Sequence, residues 1–277
     1  MYLVNHFLPE SRYNVTTLDS WESDPSVYIG TIVHVFPMDY TEHESLNIEG
    51  GNFFGYIPKN ELSIYPIDYF KGSKIPRFLP AIIKGNRVTA KIIGFKDGHF
   101  ILSRKQTMKE ALALLNIDQI VMCTKLSATH TSVFVDVGAG INAIIPSAEV
   151  SDCTVENVAK IFQNKYYFPV QITDYSIYKD KFIASYKKTS MQLKIAKGDK
   201  VKGIPTSLTY DGTGAFVQIT PTQVGIIDVD DISVSYEDDG SDLIMFKEYE
   251  FLVTRVRLSR DETKTTKKNI YSLKLVD

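Results

Sequence analysis

Five histidines (His6, His34, His43, His99, His130) and two cysteines (Cys123, Cys153) are the residues from which a general base, a thiol nucleophile or a soft metal site would have to be built. They are scattered over predicted loops and strand ends with no carboxylate or thiol at ligand spacing, so neither acid–base nor metal chemistry is expected. Cys123 falls in an apolar run with nothing near it in sequence to lower its pKa, which makes it a core side chain rather than a nucleophile. Two cysteines also give no disulfide framework, the usage of a reduced cytoplasmic protein. Asp211-Gly-Thr-Gly214 looks like a phosphate loop, yet it precedes a predicted strand instead of a helix and lacks the Gly-Lys-Ser/Thr ending. What remains is stacking and charge. Sixteen Tyr and fifteen Phe beside one Trp suit β structure or stacking surfaces. With 31 Lys and Arg against 33 acids the net charge is -2, so a site for a polyanion must be a local patch. The basic run Lys264-Thr-Thr-Lys-Lys268 lies near the acidic run Glu237-Asp-Asp-Gly-Ser-Asp242 in the same block and reads as a solvated loop.

The elements that must position such side chains are mostly strands. At 277 residues, 44% hydrophobic and 23% charged, the chain has the composition of an ordinary globular protein with room for two or more domains, which excludes a disordered or fibrous chain. No run approaches the roughly 18 apolar residues of a membrane-spanning helix. The N-terminus meets Pro9 early and has no basic leader, so no signal peptide is expected. Short β-branched and aromatic runs cut by Gly, Pro, Asn and Asp fill most of the sequence. Helical spacing is scarce: Met108, Ala111, Leu112 and Leu115 recur at that spacing and predict an interdomain helix. A polar stretch from Lys187 to Gly198 predicts a second connector.

Between these connectors one order of events repeats three times. Each block opens with a strand, over 27–35, 120–126 and 199–208. A second strand follows over 45–48, 133–137 and 215–219, alternating so that one face is apolar. A third covers 55–62, 143–150 and 225–232, with a small residue first and an acid next to last. After a longer connection come two more, over 87–93 and 99–104, 168–173 and 182–186, and 251–256 and 270–274. Five strands with the long connection between the third and fourth is the order of the OB-fold. The expected architecture is therefore all-β, three tandem five-stranded OB-fold barrels with a short interdomain helix. An extension covers 1–24, barrels cover 25–105, 118–188 and 198–277, a linker helix covers 106–117 and a linker covers 189–197.

At these residues the chain resembles the S1 domain, an RNA-binding OB-fold family. The resemblance rests on Val133-Phe-Val-Asp-Val-Gly138, Ile144-Ile-Pro-Ser-Ala-Glu149, Gly214-Ala-Phe-Val217, Gly198-Asp-Lys-Val-Lys-Gly203 and the endings Leu102-Ser-Arg-Lys105 and Ser272-Leu-Lys274. The junction of the first two blocks is similar to that between the N-terminal repeats of the bacterial 30S ribosomal protein S1 family. In the family, aromatics on the second strand stack bases, a His on the third completes the platform, and cations on the last strands hold phosphates. The resemblance puts Phe134 and Phe216 at the second aromatic position, and alternation turns each away from its apolar neighbours. Lys91 and Arg255 fall at one position of strand four, pointing away from the expected core residues Ala90, Ile92, Thr254 and Val256. Arg104, Lys105, Tyr186, Lys187 and Lys274 fall at the basic end of strand five. Tyr56 shares a strand face with Pro58 and is a further stacking candidate.

The departures bear on function. Thr131 and Thr213 stand at the first aromatic position, Ser45 at the second in the first block, and Pro58, Pro146 and Asp228 at the His position. In the family, proline there accompanies repeats that dock on the ribosome, and Asp228 repels phosphate. The bland reading of Phe134 and Phe216 is packing at a barrel end. The expectation is a non-catalytic, cytoplasmic RNA-binding protein of translation or RNA metabolism, without cofactor or metal, whose partner is single-stranded RNA (mRNA or rRNA), with the 30S ribosomal subunit as a second partner. The alternative is a ribosome- or protein-docking adaptor whose degenerate barrels have little affinity for RNA.

Overall fold

A computed structural model of the chain describes residues 24–35, 37–40, 45–50, 53–64, 88–176, 181–230, 232–258 and 269–276. Of the features singled out in the sequence, His6, His43, all but the last residue of the 1–24 extension and the basic run 264–268 lie outside them. The chain divides into two compact units, one of 1–116 with 136–142 and 176–181, the other of 117–135, 143–175 and 182–277.

In the first unit the strands are β1 (Ile32–Val35), β2 (Pro37–Tyr40), β3 (Ser45–Gly50), β4 (Phe53–Pro58), β5 (Val88–Lys96) and β6 (His99–Ser103). They form one six-stranded sheet in the order β1-β5-β6-β4-β3-β2. Inward residues alternate along the strands, so that Val33, Val35, Ile57, Ala90, Ile92, Phe100 and Leu102 make the core with Leu62. Asp97 and Gly98 both have positive φ (50° and 80°), the geometry a two-residue hairpin turn needs, and they join β5 to β6. The closed barrel expected over 25–105 is not seen among the described residues. Of the opening strand expected over 27–35, Ile32–Val35 forms β1 and pairs with β5, while its start lies in a 3-10 turn over Pro25–Tyr28; β2 pairs with β3. Pro37 opens β2; having no N–H, it cannot donate to a continuous ladder and belongs at a strand start or edge.

Helix α1 (Arg104–Leu114) follows β6 directly. The Ser103 hydroxyl caps it by accepting the Gln106 N–H at 3.0 Å, the role Ser plays before a helix, and also bonds to the Glu61 carboxylate. Thr107, Met108 and Ala111 are its buried face, and the Thr107 hydroxyl donates to the Thr89 carbonyl at 3.1 Å, fixing the helix on β5. Leu112, expected on the apolar face, is exposed, and Leu115 lies past the last turn.

The second unit holds two closed five-stranded barrels. The first consists of β7 (Ile120–Ala128), β8 (Ser132–Asp136), β9 (Asn142–Pro146), β10 (Tyr167–Ser176) and β11 (Lys181–Ser185), with the short helices α2 (Ser147–Val150) and α3 (Val158–Ile161) in the connection after β9. The second consists of β12 (Lys200–Leu208), β13 (Gly214–Thr220), β14 (Gln223–Asp228), β17 (Tyr249–Leu258) and β18 (Asn269–Leu275), with the short pair β15 (Val234–Ser235) and β16 (Leu243–Ile244) between its third and fourth strands. In each, the third strand pairs in parallel with the fifth, and the fourth returns antiparallel to the first, which is consistent with an OB-type barrel. Gly203 permits the last closure: a Cβ there would lie 2.5 Å from Val217 Cγ1 and 3.5 Å from the Phe251 ring.

The connector between these two barrels is pinned. Gln223 accepts the Leu193 N–H and donates to the Leu193 carbonyl, both at 2.8 Å, while Ile195 packs on the core of the last barrel. A polar seam also joins the two barrels. The Asp152 N–H donates to the Pro221 carbonyl at 2.8 Å, and the Thr206 and Ser207 hydroxyls donate to the Thr154 carbonyl at 2.7 and 3.0 Å. Thr206 sits where the β12 ladder shifts register, and the shift frees its side chain for this seam.

Candidate nucleic-acid interface

Across the last barrel the strand register brings four outward residues into line. Phe216 pairs with Ile226, Ile226 with Ser272, and Ser272 with Arg255. Their chain neighbours Ala215, Val217, Gly225, Ile227, Tyr271 and Leu273 are buried, so alternation turns Phe216, Ile226 and Ser272 outward. Phe216 is half-buried with its neighbour Ile226, a ring supported on an apolar bed, while Arg255 at the other end of the row is exposed. Arg257, paired with Ile270, extends the cationic edge, and Lys274 is exposed on β18. A base on the ring and a phosphate at the arginine is chemistry this row can support. Asp228, exposed at the end of β14, opposes it, lying two residues beyond Ile226 on the same face.

Arg255 reaches this row by a route that alternation alone misses. The β17 ladder shifts register between Val253 and Arg255, so the strand core is Phe251 and Val253, and Thr254 and Val256, expected inside, are exposed. A bulge inserts one residue and inverts the faces beyond it.

In the preceding barrel Phe134 is half-buried between the buried Val133 and Val135. Tyr186 and Lys187 do not end strand five, because β11 stops at Ser185 and a 3-10 turn over Lys187–Thr189 follows. The Tyr186 ring lies edge-on to Phe162 and Phe168, and its hydroxyl accepts from Lys165 Nζ at 2.9 Å. Lys187 pairs with Asp152 at 3.3 Å and donates to the Ala148 carbonyl at 2.6 Å. Both are engaged within the fold.

In the first unit, Arg104 and Lys105 likewise lie beyond β6, at the start of α1. Arg104 is buried and donates to the Leu62 carbonyl at 2.9 Å, so its guanidinium is not offered to phosphate. Its charge works instead on Asp136, whose enclosed carboxyl is pushed up by burial against the opposing pull of the Gly138 N–H, Arg104 and the Gly140 N–H. Lys105 donates to the Asn60 carbonyl at 3.2 Å. Lys91 stands on strand four as expected, but α1 brings Glu110 to 2.7 Å from its ammonium. Tyr56 is outward on β4, beside Ile101 of β6.

Several exposed aromatics were missed by the sequence reading. Phe54 precedes Tyr56 by two residues, hence shares its face, and packs edge-on to His99 with ring centres 6.5 Å apart; that spacing was the available signal. Tyr210 is fully exposed at the tip of the β12–β13 turn. The Thr209 hydroxyl and the Thr213 N–H bind the Asp211 carboxylate there, holding its pKa below the ordinary value. Tyr166 and Tyr167 are exposed where the chain enters β10; the alternation of Phe168, Val170 and Ile172 turns Tyr167 outward and was the available signal, whereas Tyr166 precedes the strand.

Both cysteines are buried, and burial pushes the Cys153 thiol up to about 11 despite its contact with the Thr206 hydroxyl. Among the described residues, no three His, Cys, Asp or Glu side chains gather to hold a metal ion, and no helix is long and apolar enough to cross a membrane. No family model and no curated protein matches this chain. Among solved structures it is similar to a multidomain protein with nucleic acid binding domains from Streptococcus pneumoniae, at 12% identity over 91% of this chain and 75% of that one, with a TM-score of 0.29.

Proposed function

We propose that this chain is a non-catalytic, cytoplasmic protein of translation or RNA metabolism that binds single-stranded RNA on the outward faces of its barrels. The observation that carries the reading is the row Phe216, Ile226, Ser272 and Arg255, which sets an aromatic ring and an exposed guanidinium on one face of four hydrogen-bonded strands. Phe134 offers a second ring on the neighbouring barrel and Tyr56 a third in the first unit. Each alone binds weakly, and several together bind by avidity. Single strands are the expected form because their bases are free to stack, whereas duplex bases are not. The test is a titration of the full chain with labelled oligouridine at low salt, followed by anisotropy. Phe216→Ala should weaken binding roughly tenfold, as removal of one stacking ring does; an unchanged affinity would remove the row from the site.

One observation favours a second reading, a docking adaptor for the 30S subunit or another protein. Asp228 sets a carboxylate on the very face that carries Phe216. Co-sedimentation with 30S subunits that persists under excess RNA competitor supports the adaptor, and its loss under competitor supports direct RNA binding.

A further inference from the structure

We propose a second stacking site for single-stranded RNA on the first closed barrel, formed by Tyr166 and Tyr167 with Lys125 and Lys165; it rests on the RNA-binding reading above and names residues which that reading does not use. The two rings are consecutive in the chain and 69% and 58% exposed. Single exposed apolar side chains are ordinary on a protein surface; two large exposed rings consecutive in the chain, one with a lysine ammonium at its face, are not.

The ground beneath them is fixed. The Lys125 N–H donates to the Tyr166 carbonyl at 2.8 Å, which holds the entry to β10 against β7, and Tyr167 pairs with Thr124 in the same ladder. Lys125 Nζ donates to the carbonyls of Phe162 and Gln163 at 2.6 and 3.3 Å and lies 4.7 Å from the centre of the Tyr166 ring. Lys165 Nζ is held by the Tyr186 hydroxyl and lies 4.8 Å from the Tyr186 ring. Phe162, fully buried against Phe168 and Tyr186, anchors the segment that carries both contacts. Neither lysine forms an ion pair among the described residues, so their charge is balanced by carbonyl and ring dipoles rather than by carboxylates.

That combination selects the occupant. Two exposed rings give π-faces to bases, and Lys125 at the Tyr166 ring, with Lys165 next to Tyr166 in the chain, lowers the cost of bringing phosphates close. Tyr186 and Phe162 then act as positioning residues, because they hold Lys165 and the segment without meeting RNA themselves.

The experiment uses the full chain and an oligouridine of about 20 nucleotides, longer than the roughly 4–16 nucleotides one OB barrel covers. Tyr166→Ala with Tyr167→Ala should weaken binding at least tenfold, given about tenfold per ring, with an unaltered thermal melt because both side chains are exposed. The paired Tyr→Phe variant keeps the rings and should bind within about twofold of wild type, while the paired Tyr→Leu variant should fall with the alanine variant. Wild-type affinity in the alanine variant, or full affinity in the leucine variant, overturns the stacking site and leaves the Phe216 row standing. Failure of the wild-type chain to bind oligouridine at low salt overturns the RNA-binding reading, and this site with it.

Discussion

Asp228 lies two residues from Ile226 on an outward strand face, a spacing of about 7 Å, and so within a Debye length of any phosphate held along the Phe216 row. At that separation two unit charges in water repel by roughly 0.6 kcal/mol. Asp228→Asn should therefore tighten oligouridine binding by about two- to threefold at low salt, with the gain fading at high salt as screening removes it. A gain that persists at high salt would mean that the side chain acts by shape instead. The Asp228 carboxylate accepts the Asp230 N–H at 3.1 Å, a bond that Asn can keep, so the turn after β14 survives the change. Lys91 shows the converse arrangement, a cation at a binding position whose charge Glu110 already balances. Its distance from Glu110 in sequence hid that pairing, which only the docking of α1 on β5 creates.

At the scale of elements, periodic features were legible and single-residue shifts were not. Alternation is unbroken along β8 and β14 and holds in β13 from Ala215 to Val217, so the faces of Phe134 and Phe216 followed directly from their neighbours. The bulge in β17 disturbs that count by a residue, and it is where the expected core of strand four failed. The ends of strand five were also overrun. Ser103 stands three residues before Gln106, the spacing of a helix cap, and that signal could have ended β6 before Arg104. What the helix then does with Arg104 is tertiary: the guanidinium lies against Gly140, which has φ of +87° and no Cβ to obstruct it. Gly140→Ala combines a strained backbone with a Cβ driven into Arg104, and should lower stability by roughly 1–3 kcal/mol in urea denaturation. Oligouridine affinity under folding conditions should stay unchanged, since Arg104 is not in the RNA site; a loss of affinity in a folded variant would return Arg104 to it.

Taken over the whole molecule, the net charge of -2 leaves any field that a polyanion would feel to the local arrangement of cations. Lys187, Lys200, Lys202 and Lys247 pair with Asp152, Glu250, Glu248 and Asp238. Surface pairs of this kind add little stability, but they neutralise the field a phosphate would feel. Beside the Phe216 row, the exposed cations among the described residues are Arg255, Arg257 and Lys274. Each phosphate neutralised on a single strand releases counterions and contributes about -0.7 to the slope of log K against log salt. Three such contacts on this row contribute about -2 to the slope, with stacking supplying a salt-independent part. Replacing Arg255 and Arg257 together by Ala should make the slope shallower by about 1.4 while leaving high-salt affinity nearly unchanged. Phe216→Ala should do the reverse, lowering affinity at every salt concentration with the slope intact. A slope that the Arg255 and Arg257 replacement leaves unchanged would place the phosphate contacts on a different surface.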